Sequence, residues 1–113
     1  MGLSDGIIKV RFFELSANCL ELGAHEMIDL NYSPVIRAIG EAFLAELKNR
    51  VGPKAIDWHV IDLRNFSEAE LTLAETQFET MIDDAPEPLP GYFGSFKLSV
   101  HHELLRRSGP DLQ

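Results

Sequence analysis

Residues 33–52 constrain the fold more tightly than any other part of the chain. Ser33 is a helix N-cap residue, and Pro34 sits at the first helical position, where its missing N–H costs nothing. Ile36, Ile39, Phe43 and Leu47 then recur at helical spacing, with Val35, Ala42 and Leu44 widening the stripe. Glu46 and Arg50 form an i,i+4 pair in the favourable order, and Lys48 and Arg50 suit the negative end of the helix dipole. Gly52-Pro53 is a stop signal. The pattern predicts an amphipathic helix whose apolar face needs a second layer to cover it. Gly40, which costs about 1 kcal/mol relative to alanine inside a helix, marks close packing against a sheet.

The remaining segments read as strands around two helices. Residues 7–15 alternate Ile8, Val10 and Phe12 with Lys9, Arg11 and Phe13, a strand with one buried face. Ser16-Ala17-Asn18 is turn chemistry, and residues 19–22 return as a hairpin partner, with 25–30 extending it beyond Gly23. Residues 55–66 read as a strand centred on 58–63, where Trp58, Val60, Ile61 and Leu63 imply burial on both faces. Ser67 and Glu70 fit a capping box. Leu71, Ala74, Phe78, Met81 and Ile82 follow as the apolar stripe of a helix over 68–83, with Glu68, Glu75, Glu79 and Asp83 on its outer face. Residues 85–94 carry three prolines and two glycines and read as a loop. Phe96, Leu98 and Val100 alternate as a strand, a short helix follows, and residues 108–113 form a frayed tail. The resulting order, ββαβαβ(α), predicts an α/β or α+β domain over 1–113. It has a four-stranded mixed sheet in two layers, with two main helices on one face.

Charge sets the partners such a chain can take. Its 113 residues carry 10 basic and 18 acidic side chains, a formal charge of −8. Residues 67–94 hold seven acids and no Lys or Arg, whereas the segments on either side are close to neutral. Phosphate neutralisation needs Lys and Arg, so no direct nucleic-acid ligand is expected; a basic protein surface suits a one-sign face better. Cys19 is the only cysteine, which excludes an internal disulfide and fits a reducing compartment. Residues 1–6 lack a secretory pattern and no apolar run reaches the ~18 residues of a membrane span, so a cytoplasmic location without membrane attachment is the expectation.

Candidate chemistry is sparse. Asp57, His59, Asp62 and Arg64 cluster on and after the expected central strand, where α/β sheets bind ligands. His59, Asp62 and Arg64 are the catalytic candidates; the plainer reading has Asp62 capping a backbone N–H or pairing with Arg64. His101 and His102 are adjacent and diverge on a strand or a helix, and ligands such as His25 or His59 are remote in sequence, so no metal site is expected. Cys19 has no neighbouring base in sequence, and no nucleotide-binding or nucleophile-elbow motif occurs, so no cofactor is expected either. In the loop, Tyr92 and Phe93 are either interface anchors or core residues.

The order of 7–15, the 33–52 helix and His59-Val60-Ile61-Asp62-Leu63 resembles that of a STAS-type regulatory domain. That family's Asp-Ser phosphorylation motif is missing from the junction Arg64-Asn65-Phe66-Ser67-Glu68, and membership is not assigned. The leading expectation is a small acidic interaction module of the inhibitor, immunity, regulatory or assembly-factor type. It would bind a basic partner through helix 68–83 and loop 86–94, using Glu68, Glu75, Glu79, Asp83, Tyr92 and Phe93. The alternative is a small dimeric enzyme or ligand-binding protein with a pocket near Asp62; a homodimer fits either reading.

Overall fold

The computed structural model describes residues 6–12, 15–50, 58–85, 87 and 89–108. The Gly52-Pro53 stop, Phe13, Asp57 and the start of the strand expected over 55–66, Pro86 and Pro88, and the tail from 109 onward lie outside the described residues. The elements are β1 (Ile7–Val10), α1 (Ala17–Met27), α2 (Pro34–Asn49), β2 (His59–Asp62), a 3-10 turn at Leu63–Asn65, α3 (Glu68–Asp84) and α4 (Leu89–Ser108). The molecule is therefore mainly helical, and the four-stranded mixed sheet expected from the sequence is not its architecture. Among the described residues the sheet has two strands, β1 and β2, paired antiparallel with Ile8 opposite Ile61 and Lys9 opposite Val60. The parallel crossover around α2 goes with the larger sheet, and so does the STAS-like element order.

Each misread segment has a physical reason. Phe96 and Val100 are four residues apart, a spacing shared by an alternating strand and a helical face. Along the 20-residue α4 the buried positions are Leu89, Phe93, Phe96, Val100 and Glu103, a helical period. Leu98, the middle member of the supposed alternation, is 54% exposed. Residues 19–22 belong to α1, which buries Leu20, Gly23, Ala24 and Met27. Its Ser16 acts as an N-cap, accepting a hydrogen bond from the Cys19 N–H at 3.2 Å. The expected central strand is instead an outer one, with Trp58 and Val60 exposed on its far side.

The helices pack as two pairs, α1 with α2 and α3 with α4. A Cβ added at Gly40 would come within 2.9 Å of Met27 and Ile28 side-chain atoms, and one at Gly23 would come within 2.6 Å of the Phe43 ring. These contacts pair 23 with 43 and 27–28 with 40, so α1 and α2 run antiparallel. Gly40 thus serves helix–helix contact, not the helix–sheet contact expected from the sequence. Ser33 links the pairs: it caps α2 through Val35 N–H, its hydroxyl donates to the Glu70 carbonyl at 2.7 Å, and its N–H donates to Gln77 Oε1 at 2.8 Å. α3 begins with the anticipated capping box between Ser67 and Glu70.

The core runs from the inner face of the β1–β2 ribbon, Ile8 and Ile61, through Phe12 into the helices. Phe12 is fully buried, with ring centroids 4.5 Å from Phe43 and 5.6 Å from Tyr92. Burying such a ring contributes roughly 2–3 kcal/mol, and each aromatic pair adds ~1 kcal/mol. Glu103 is buried between α4 and the ribbon end, where it accepts hydrogen bonds from Arg106 and Arg107, both at 2.7 Å or longer. Arg107 also donates to the Leu63 carbonyl at 3.1 Å. No helix among the described residues is long and apolar enough to cross a membrane.

Candidate functional site

The residues singled out from the sequence fall in three places. Along the α3–α4 seam, Glu75 Oε2 lies 2.6 Å from His101 Nδ1, and Glu79 pairs with Lys97. The hydrogen bond to Glu79 raises the Lys97 pKa above its ordinary value. These two acids thus have hydrogen-bonding partners on α4, Lys97 being the cation. Glu75, Lys97 and His101 flank a shallow groove of about 430 Å³ that Ile82, Gly94 and Leu98 also line. Glu68 and Asp83 are exposed at opposite ends of α3. Phe93 is buried against Phe78 and Phe96, with centroids 6.1 and 6.4 Å away. Tyr92 is half-buried, its ring 5.6 Å from Phe12 and its hydroxyl donating to the Arg11 carbonyl at 3.4 Å. Both aromatics therefore face the core and do not share a surface with the acids.

At β2, Asp62 and Arg64 pair with each other. Arg64 Nε and Nη2 donate to Asp62 at 2.9 and 3.0 Å, and Arg64 N–H donates at 3.0 Å. Those hydrogen bonds from Arg64 hold the Asp62 carboxyl below the usual range. His59 is engaged elsewhere: its Nε2 lies 2.8 Å from Glu46 Oε1, and its ring stacks on Phe12 at 5.4 Å. The i,i+4 pair of Glu46 with Arg50 forms as the sequence leads one to expect, at 3.2 Å, but it is buried, and Arg50 also donates to the carbonyls of Phe12 and Leu15. The signal was present, because Glu46 follows Ile39 and Phe43 on the buried stripe. His59 and Asp62 do line a shared groove of about 390 Å³ against Glu41 and Asn65. The three candidates nevertheless do not converge on one point, since Asp62 and Arg64 satisfy each other and His59 turns to Glu46.

The third place was not anticipated. A largely apolar cleft of about 260 Å³ opens where α1, α3 and α4 meet. Leu22, His25 and Glu26 come from α1, Met81 and Asp84 from α3, Ala85 from its C-cap, and Leu89 and Phe93 from α4. Leu22 is 48% exposed and sits on the lip, while Leu89 and Phe93 form the buried floor. Glu26 lies in the last turn of α1, and Asp83 and Asp84 end α3, which has no basic residue in its last turn.

Three carboxylates therefore stand at the negative ends of two helix dipoles, where acids are unfavourable by about 0.3–1 kcal/mol each. The Tyr32 hydroxyl donates to Glu26 at 3.4 Å, and burial together with this carboxylate raises the tyrosine pKa. Among the described residues neither Glu26 nor Asp84 makes an ion pair. The exposed Glu87 extends the same negative potential toward α4. An apolar floor with uncompensated carboxylates at its edge can hold a side chain or segment that is both apolar and cationic.

Among the described residues no three His, Cys, Asp or Glu side chains are grouped to hold a metal ion. Cys19 is half-buried on α1 and packs against the core. No protein-family model, curated protein or solved structure matches the chain.

Proposed function

We propose that the chain is a small protein-binding module whose α1–α3–α4 cleft receives a basic and apolar segment of a partner protein. The observation that carries this reading is the convergence of Glu26 and Asp84, at the negative ends of two helices, beside an apolar floor. Local rules favour cations there, so the acids cost stability that a docked cation returns. The contact lies at the ends of α1 and α3 and the start of α4, and so only partly within the acidic segment 67–94. It is set by the helix ends and not by the outer face of α3, where Glu75 and Glu79 already have partners in His101 and Lys97.

A fluorescent amphipathic peptide of lysine and leucine is the probe, titrated by anisotropy at low and at physiological salt. Binding should weaken steeply with salt, because the contact is between surface charges. Glu26→Lys with Asp84→Lys should weaken it at least about tenfold, whereas Glu75→Lys leaves it nearly unchanged. Affinity that ignores both salt and the double reversal would sink the reading.

A further inference from the structure

The outer face of the β1–β2 ribbon carries the reverse chemistry of the cleft. Directly opposite residues of an antiparallel pair share a face, so Lys9 and Val60 stand together on the side away from Ile8 and Ile61. Trp58 and Arg11 continue that side beyond the paired residues. The Lys9 ammonium lies 5.2 Å and the Arg11 guanidinium 5.6 Å from the Trp58 ring. Trp58 is 51% and Val60 57% exposed, the apolar centre of the patch. Among the described residues Lys9 and Arg11 make no ion pair, although five other cations of Lys or Arg type do. Among the described residues, one apolar face is thus edged with cations outside any ion pair, and one apolar cleft with carboxylates outside any ion pair.

We propose that the cleft's partner is a second copy of this chain, with the Trp58–Val60 face of one ribbon seated on the Glu26–Asp84 cleft of another. This rests on the cleft being a binding site for a basic and apolar segment, as proposed above. Charge complementarity selects the occupant: the ribbon supplies the two cations and the large apolar side chain that the cleft lacks. A chain cannot satisfy its own cleft. The ribbon's inner face is fixed on the core, its outer face turns away from that core, and the cleft is built from α1, α3 and α4. The contact joins two different faces, so it closes as a dimer or small ring when the rotation permits and extends otherwise.

Trp58 is the only tryptophan, so its emission reports the contact in the unmodified protein. Light scattering and tryptophan emission are followed together across a wide range of protein concentration, at low and at raised salt. The expected result is a rise in mass with concentration, a simultaneous blue shift, and loss of both at raised salt. Lys9→Glu with Arg11→Glu should abolish self-association, and so should Glu26→Lys with Asp84→Lys. Mixing the two variant proteins should restore assembly, since each then offers the charge the other needs. Circular dichroism establishes that each variant is folded; should either fail, Trp58→Ser, at an exposed site, replaces it and should likewise remove the association. A chain that stays monomeric at every concentration overturns the self-docking proposal, as does association that survives the variants. Binding of the lysine–leucine peptide to Glu26 and Asp84 is measured separately, so a monomer that still binds it leaves the cleft reading standing and only the second copy excluded.

Discussion

Glu103 is the residue on which the junction of α4 and the ribbon turns. Burial alone would push its carboxyl upward, but hydrogen bonds from Arg106 and Arg107 outweigh that and hold it below its ordinary value of 4.5. A carboxylate held low in the folded state stabilises the fold above its unfolded value, and that contribution is lost as pH falls through the folded one. Glu103→Gln should therefore destabilise the protein at neutral pH by about 2–3 kcal/mol, because two guanidiniums lose a charged acceptor. The variant should also show a shallower loss of stability than the parent below pH 4.5. Urea titrations across that window check both; equal acid sensitivity in parent and variant counts against the assignment. Of the two buried carboxylates, Glu46 was legible in part, through its place on the apolar stripe and its pair with Arg50, whereas its contact with His59 comes from packing. Glu103 was not legible, because it lies in a helix read too short.

At the level of elements, α2 and α3 were legible because each announces both its cap and its stripe. Ser33-Pro34 and the Ser67–Glu70 box are local chemistry that tertiary packing did not override. α1 and α4 were not legible, for a different reason in each. α1 opens with residues that also build turns, and Gly23 in its middle looks like a bend until Phe43 is seen to need the space. α4 begins in a proline- and glycine-rich run, but Pro90 occupies its first turn, where proline is tolerated. The end of α3 carries the prediction that belongs to this scale. Asp84→Asn removes a charge from the wrong end of the dipole and should stabilise the fold by ~0.5 kcal/mol, while weakening the lysine–leucine peptide. Opposed changes in thermal stability and in peptide affinity are the signature of an acid kept for binding. A loss of both would assign Asp84 to the fold.

Across the whole molecule, the acidity that was legible in the sequence is not uniformly available. Part of it is engaged between α3 and α4, part is buried with arginines, and two carboxylates outside any ion pair among the described residues, Glu26 and Asp84, meet at one cleft. The ribbon that opposes this cleft joins chain positions far apart: Val10 pairs with His59, while the helical pairs form from neighbouring segments. Contacts of that separation carry a high closure cost and form late. Ile8→Ala should accordingly cost about 2–3 kcal/mol, expressed mainly as faster unfolding with little change in the folding rate. Stopped-flow folding and unfolding arms measure this, and a slowed folding arm would place the ribbon in the nucleus instead. During synthesis, β1 leaves the ribosome ahead of β2 and lacks that pairing strand until β2 emerges, a wait on the order of several seconds at typical elongation rates. For that interval an apolar stretch with two open edges is exposed to other nascent chains, which makes the first strand the natural point of chaperone capture and of aggregation in the newborn protein.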